Sequence, residues 1–364
     1  MKKVLCLIDA LRLGGAERQL IGLTAFLREK GYDTDLAMYH QHNFYEDLLS
    51  RHHITPLMIP TRNNPLSKLY GIGRFIKTRH YDTVIAYIDG PTKICCLLKM
   101  FGAKFQLIVS ERNTSLNLSK SLKIKFFLYR FANFIVPNSD SQKEFIHQHF
   151  PHLRDKTVTI HNFTDTDHFT PEESSEASSE KTSFSILIPA RIARQKNVLN
   201  LLLAIRDIQS QTTDIHFKWV GNVQAGEEKY QELVIKTVQD LHLSDNIDFV
   251  PATKNIVEEY HKCDIVCLPS LFEGYPNTLC EAMSCAKPVI CSNVCDNPKI
   301  VTDGINGFLF NPESVEDITA TILKICSLTD KERQTIGLAN RAFAVQNFSK
   351  DRFVNKYIKL FEKN

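Results

Sequence analysis

Short apolar runs alternate with longer amphipathic stretches along the whole chain. VLCLID (4–9) reads as a strand, Gly14-Gly15 as a turn, and GAERQLIGLTAFLREKG as a helix. TDLAMY (34–39), TVIAYI (83–88), FQLIVS (105–110) and FIVP (134–137) follow, each leading into a helix or loop. After PEESSEASSEKTS (171–183), rich in Ser and Glu, the alternation restarts. Its second set is FSILIPA (184–190), HFKWVG (216–221), IDFVPA (247–252), DIVCLPS (264–270), PVICS (288–292) and GFLF (307–310). Continuous apolar strands separated by helices predict parallel sheets covered on both faces. The expected fold class is therefore α/β, with two doubly wound Rossmann-like domains facing an interdomain cleft, where the strands' carboxyl ends meet ligand. The expected boundaries are 1–170, a polar linker at 171–183, 184–349, and a final helix at 350–364 able to pack back on the first domain.

Composition narrows the class. A chain of 364 residues with 43% hydrophobic and 23% charged residues is ordinary globular protein. The net charge of +3 is unevenly spread, with 23 Lys and Arg against 15 Asp and Glu in residues 1–170, and 21 against 26 beyond. A basic first half fits a polyanionic partner or an anionic surface, or simply a soluble basic face. The ten cysteines sit mostly in apolar runs and include no C-x-x-C, so structural zinc is not expected. VLCLID is broken by Asp9 and Arg12 and lacks a cleavage site, and no run of about 18 apolar residues marks a membrane span. The expectation is a reduced, cytoplasmic protein, free or peripheral at the inner face of the membrane.

Candidate chemistry concentrates at EGYPNTLCE (273–281), where Glu273 and Glu281 bracket a strand-to-helix turn. Free N–H groups and the dipole at a helix start favour an anion, and carboxylates accept from hydroxyls, which suits a nucleotide sugar. Thr278-x-x-Glu281 also reads as a capping box, and Glu273 as a solvated loop carboxylate. In PARIARQKN (189–197), Arg191 and Lys196 follow a strand and could neutralise a diphosphate, or be surface cations. Gly14-Gly15 allow close approach of a ligand, or make a plain turn. G-x-G-x-x-G and G-x-x-x-x-G-K-[ST] are absent, which disfavours nicotinamide enzymes and P-loop nucleotidases. The D-x-D triplets 33–35 and 165–167 read as chance, so no metal and no cofactor is expected. SLKIKFFLYRF (121–131), with Lys120, is a basic aromatic helix able to lie on an anionic membrane or to face the core. Nothing supports nucleic-acid binding.

Together GGAERQL (14–20), HNFTDTDHF (161–169), ARIARQKN (190–197), PSLFEGYPNTLCEAMSCAKPVI (269–290) and VTDGINGFLF (301–310) resemble the family-4 retaining glycosyltransferases of GT-B fold. The resemblance covers nearly the whole chain. It implies a metal-independent hexosyl or N-acetylhexosaminyl transferase of polysaccharide or lipid-linked oligosaccharide synthesis, using a nucleoside diphosphate-sugar with uridine as its base. It further implies that Arg191 and Lys196 hold the diphosphate, Glu273 the sugar hydroxyls beside the reacting carbon, and Glu281 the ribose. The backbone through Gly274, Tyr275, Pro276, Asn277 and Thr278, with Gly14 and Gly15, would contact the donor. Where many members carry an acceptor-side histidine, this chain reads Ser110-Glu111-Arg112-Asn113, which makes Glu111 and Arg112 the acceptor-side candidates. Cys295-Asp296-Asn297-Pro298-Lys299 replaces a glycine-rich turn. A sugar-nucleotide epimerase, a non-catalytic sugar-nucleotide-binding protein and a membrane-interaction module are the alternatives.

Overall fold

The structure is a computed structural model, and it describes residues 2–112, 114–115, 117–172, 183–212 and 214–362. Most of the 171–183 linker therefore lies outside the described residues. The chain divides into two compact units, Met1–Phe163 with Lys350–Asn364, and Thr164–Ser349.

In the first unit, six parallel strands are ordered β3-β2-β1-β4-β5-β6. They are β1 (Lys3–Leu7), β2 (Asp33–Met38), β3 (Leu57–Met58), β4 (Thr83–Tyr87), β5 (Gln106–Glu111) and β6 (Phe134–Pro137). The order reverses at β1, which pairs with β2 on one side and β4 on the other. Such a reversal opens a ligand crevice at the strands' carboxyl ends. The central strands are apolar on both faces because helices cover both, and the buried residues form one cluster on each side of the sheet.

The Lys350–Glu362 helix belongs to this unit. Its Phe353, Val354, Tyr357, Leu360 and Phe361 join the same cluster as Leu20, Leu23 and Leu27 of the Gly15–Glu29 helix. Lys30 pairs with Asp351 at 2.7 Å and Lys350 with Glu29 at 3.3 Å at the rim. These exposed pairs contribute little beside the buried apolar stripe.

The second unit repeats the plan with β7 (Phe184–Pro189), β8 (Ile215–Val220), β9 (Ile247–Val250), β10 (Ile265–Leu268), β11 (Val289–Ser292) and β12 (Phe308–Phe310). Their order is β12-β11-β10-β7-β8-β9, with the reversal at β7. No helix among the described residues is long and apolar enough to cross a membrane.

Candidate functional site

Arg191 and Lys196 stand just beyond β7, and the fold fixes that loop tightly. Trp219 Nε1 donates to the Ala190 carbonyl at 2.6 Å. Gly221 lies so close that a Cβ there would overlap the same carbonyl oxygen, so only glycine fits. Arg194–Lys196 form a short 3-10 turn that ends in Asn197 at φ 57, a left-handed position asparagine tolerates. Asn197 Nδ2 anchors the turn on the Pro312 carbonyl at 2.7 Å.

Gln195 joins this turn to the loop after β10. Its carbonyl accepts from Leu271 N–H at 2.8 Å, and its Nε2 donates to the Phe272 carbonyl at 2.8 Å. That double tie sets Lys196 against Glu273, and the two form an ion pair with side chains 14% and 9% exposed. Arg191, by contrast, is exposed, and its side chain has no hydrogen bond or ion pair among the described residues.

Tyr275 and Pro276 are buried while Gly274 is half-buried, and Pro276 leads into the Asn277–Ser284 helix. The capping-box reading fails here, because that helix has no side-chain cap and Thr278 already lies inside it. The Thr278 hydroxyl donates instead to the Pro189 carbonyl at 3.0 Å, tying the helix start to the end of β7. Glu281 is 6% exposed, and its Oε2 accepts from the Tyr260 hydroxyl at 3.0 Å. Cys295 adopts φ 51, where a glycine would be at ease, and its sulfur hydrogen-bonds to the Glu273 backbone. Burial raises the Cys295 thiol above its usual range, with the Asp296 and Glu273 carboxylates adding to the effect.

Gly14, Gly15, Glu111 and Arg112 belong to the first unit. The Tyr45 hydroxyl accepts from Gly14 N–H at 3.0 Å and donates to the Gly14 carbonyl at 2.6 Å. A Cβ at Gly14 would overlap the Glu17 carboxylate, while Gly15 opens the helix. Glu111 is 2% exposed; Lys125 Nζ lies 2.7 Å from its carboxylate and the Tyr129 hydroxyl donates to it at 3.2 Å. Asp89 also meets Lys125, at 3.3 Å. Arg112 donates through Nη1 to Asn162 Oδ1 at 2.8 Å, and through Nη2 to the hydroxyls of Tyr87 and Tyr357, the latter at 2.9 Å. Its guanidinium also lies over the Tyr87 ring, 4.4 Å from the centroid.

The triplets serve locally. Asp33 pairs with Lys3 and Asp35 accepts from Tyr81, while Asp165 accepts from the N–H groups of Asp167 and His168. The Lys120–Tyr129 helix buries Lys125, Phe126 and Tyr129, and leaves Lys120, Lys123, Ile124 and Phe127 exposed. Sequence reading missed Tyr260, Trp219, Lys125, Tyr87 and Tyr357. Only Gly221, directly after an apolar strand, carried a local signal.

Residues 13–168 match the family described as Glycosyltransferase Family 4, and residues 170–343 that described as Glycosyl transferases group 1. The chain belongs to the family-4 glycosyltransferases. Among its relatives is a Campylobacter jejuni enzyme named N-acetylgalactosamine-N,N'-diacetylbacillosaminyl-diphospho-undecaprenol 4-alpha-N-acetylgalactosaminyltransferase. The two are 26% identical over 308 residues, spanning 80% of this chain and 81% of the relative. A second Campylobacter jejuni enzyme, an alpha-1,4-N-acetyl-D-galactosaminyltransferase named for a GalNAc-containing diNAcBac-PP-undecaprenol, is 26% identical over 321 residues, 85% of this chain and 84% of its own. The crystal structure of Anabaena HepE in complex with UDP and glucose superposes over 100% of both chains with a TM-score of 0.85 at 21% identity. That likeness establishes the GT-B fold, and the family establishes a glycosyltransferase.

Proposed function

We propose that this glycosyltransferase moves a hexosyl or N-acetylhexosaminyl residue from a UDP-sugar to a hydroxyl of a glycan or lipid-linked acceptor, with retention at the anomeric carbon. The observation that carries the proposal is the Lys196–Glu273 pair, held in place by Gln195 beside a helix start. Lys196 and Arg191 take the diphosphate, whose charge grows as the bond from sugar C1 to phosphate oxygen breaks. A cation already fixed there stabilises that developing charge without reorganising. Glu273, released from Lys196 when the phosphates arrive, accepts from sugar hydroxyls. Glu281 accepts from the ribose while Tyr260 steadies it.

The backbone from Gly274 to Thr278, with the start of the Asn277–Ser284 helix, contacts sugar and phosphate. In the first unit, Tyr45 fixes the Gly14 backbone ahead of the helix that Gly15 opens. In a front-face transfer the acceptor oxygen bonds to C1 as the phosphate oxygen leaves, and the departing oxygen takes the acceptor proton. No separate protein base and no metal ion is then required. The relatives' names, which include diphospho-undecaprenol, favour a lipid-linked acceptor. Such an acceptor would bring the exposed Lys120, Lys123, Ile124 and Phe127 against an anionic bilayer at the inner membrane face.

A panel of nucleotide sugars scored by thermal shift, then an acceptor screen with the winning donor, tests this reading. Transfer with an inverted product would end the retaining mechanism, and turnover of donor without any acceptor would favour an epimerase. UDP binding with no turnover on any acceptor would leave a non-catalytic binding protein.

A further inference from the structure

Two cations at the carboxyl end of the first unit's sheet are treated differently. Lys125 is 3% exposed and meets two carboxylates, Glu111 at 2.7 Å and Asp89 at 3.3 Å. Arg112, the next residue after Glu111, meets none among the described residues. Its partners are neutral: the Asn162 amide oxygen, two tyrosine hydroxyls and a ring face. Tyr87 cannot supply charge, because burial pushes its hydroxyl well above the usual range despite the neighbouring guanidinium. The Arg112 Nε is buried and has no acceptor among the described residues. A shielded guanidinium held by neutral groups, with an unused donor, carries a desolvation cost that an anion would offset.

Structure is invested in holding it there. Tyr357 comes from the Lys350–Glu362 helix, Tyr87 from the end of β4 and Asn162 from the end of the first unit's main segment. A simple brace between these segments could be built from neutral side chains at lower desolvation cost, as buried charges give way to apolar groups without loss elsewhere. The position itself, directly beyond a strand's carboxyl end in a doubly wound sheet, is where such folds bind ligands.

We propose that Arg112 binds a phosphate-class anion carried by the acceptor, with Tyr87, Tyr357 and Asn162 as the positioning residues that hold its guanidinium fork. A planar fork suits phosphate oxygens better than a point charge does. This rests on the glycosyl-transfer reading only for the identity of the anion's carrier. The diphosphate that joins a glycan to its lipid is one source of such an anion, and the donor's own diphosphate is the other.

The test is calorimetry with inorganic pyrophosphate on the full chain already saturated with UDP, so that the donor's phosphate site is occupied. Wild-type protein should still bind pyrophosphate, with affinity falling as salt rises. Arg112→Gln should weaken that binding by on the order of tenfold or more, the scale for loss of a charged hydrogen-bonding partner. Arg112→Lys, which keeps the charge and loses the fork, should fall between, and Tyr357→Phe should weaken it severalfold. The last two variants carry the test if Arg112→Gln does not fold. Pyrophosphate binding abolished by UDP would assign the anion to the donor and overturn the proposal. So would equal affinity in wild type and the Arg112 variants, or no binding at all. Pyrophosphate binding through Arg112 in a chain that ignores UDP would leave this site standing and sink the donor reading instead.

Discussion

The carboxyl ends of the two sheets handle charge in opposite ways. Beyond β7 and β10 in the second unit, the cation and the carboxylate that matter are set against each other, Lys196 on Glu273, with Arg191 exposed nearby in sequence. At the end of β5 in the first unit, Glu111 is paired with Lys125, and Arg112 just beyond it lies among neutral groups. In the proposed reading, the Lys196–Glu273 pair is balanced until a diphosphate and a sugar take one partner each. A pair such as Glu111–Lys125, inside a helix–strand contact at 2% and 3% exposure, stays paired. Chemical type alone does not separate these roles. What differs between them is exposure, 14% and 9% for Lys196 and Glu273 against 3% and 2% for Lys125 and Glu111.

The sharpest way to break the comparison is to unpair each site in turn. Lys125→Met leaves Glu111 charged and buried, and should cost about 3–5 kcal/mol of stability in urea unfolding. Adding Glu111→Leu should return most of it, while UDP affinity stays at the wild-type value throughout. A Lys125→Met chain of normal stability would remove the structural reading of that pair.

In the second unit the loss should fall on chemistry. Arg191→Ala and Lys196→Ala should each lower kcat by on the order of 10²–10³, as removal of an oxyanion donor does. Their melting curves should differ, because the Arg191 side chain has no partner among the described residues and Lys196 leaves Glu273, 9% exposed, without its counter-ion. Equal rates in both variants and wild type would end the proposed role.

Smaller effects sharpen the picture. Glu281→Gln should weaken UDP binding by about 1.5–3 kcal/mol, and Tyr260→Phe by about 1 kcal/mol, since it only steadies that carboxylate. Full UDP affinity in Glu281→Gln would leave Glu281 a purely structural residue.

Alkaline pH should treat both units alike. Burial pushes the thiols of Cys6, Cys96, Cys285 and Cys326 from an ordinary 9.0 up to about 12. An acid whose proton is held more tightly in the folded state contributes stability fully present below its unfolded value. That contribution is lost as pH rises from about 9 towards 12. Unfolding followed by denaturant across that window should show a steady decline, and a flat profile would contradict the burial of those thiols.

Much of this molecule could be read from its sequence, and the gaps have physical reasons. Most strands were legible because they are largely apolar runs closed by a turn, as in FIVP at β6. Leu57–Met58 escaped because two residues carry no periodicity. At Thr278 and Glu281 the spacing alone could not show whether the threonine caps the helix or lies within it. Pro276 takes the N-cap two residues earlier, and the Thr278 hydroxyl turns to Pro189. The Glu273 and Lys196 candidates stood out through local motifs, yet their pairing depends on Gln195 reaching across 77 positions to Phe272. Arg112 shows the limit most clearly. Its partners come from positions 87, 162 and 357, and only the folded first unit brings them together.

The measurement that bears most directly on the central claim is the dissociation constant of UDP for wild-type protein and for Lys196→Ala, taken side by side by calorimetry. If Lys196 holds the donor diphosphate, the variant should bind UDP at least about tenfold more weakly, the scale of a lost charge-assisted hydrogen bond. UDP binding of equal strength in the two proteins would contradict the donor site placed at Lys196 and Glu273.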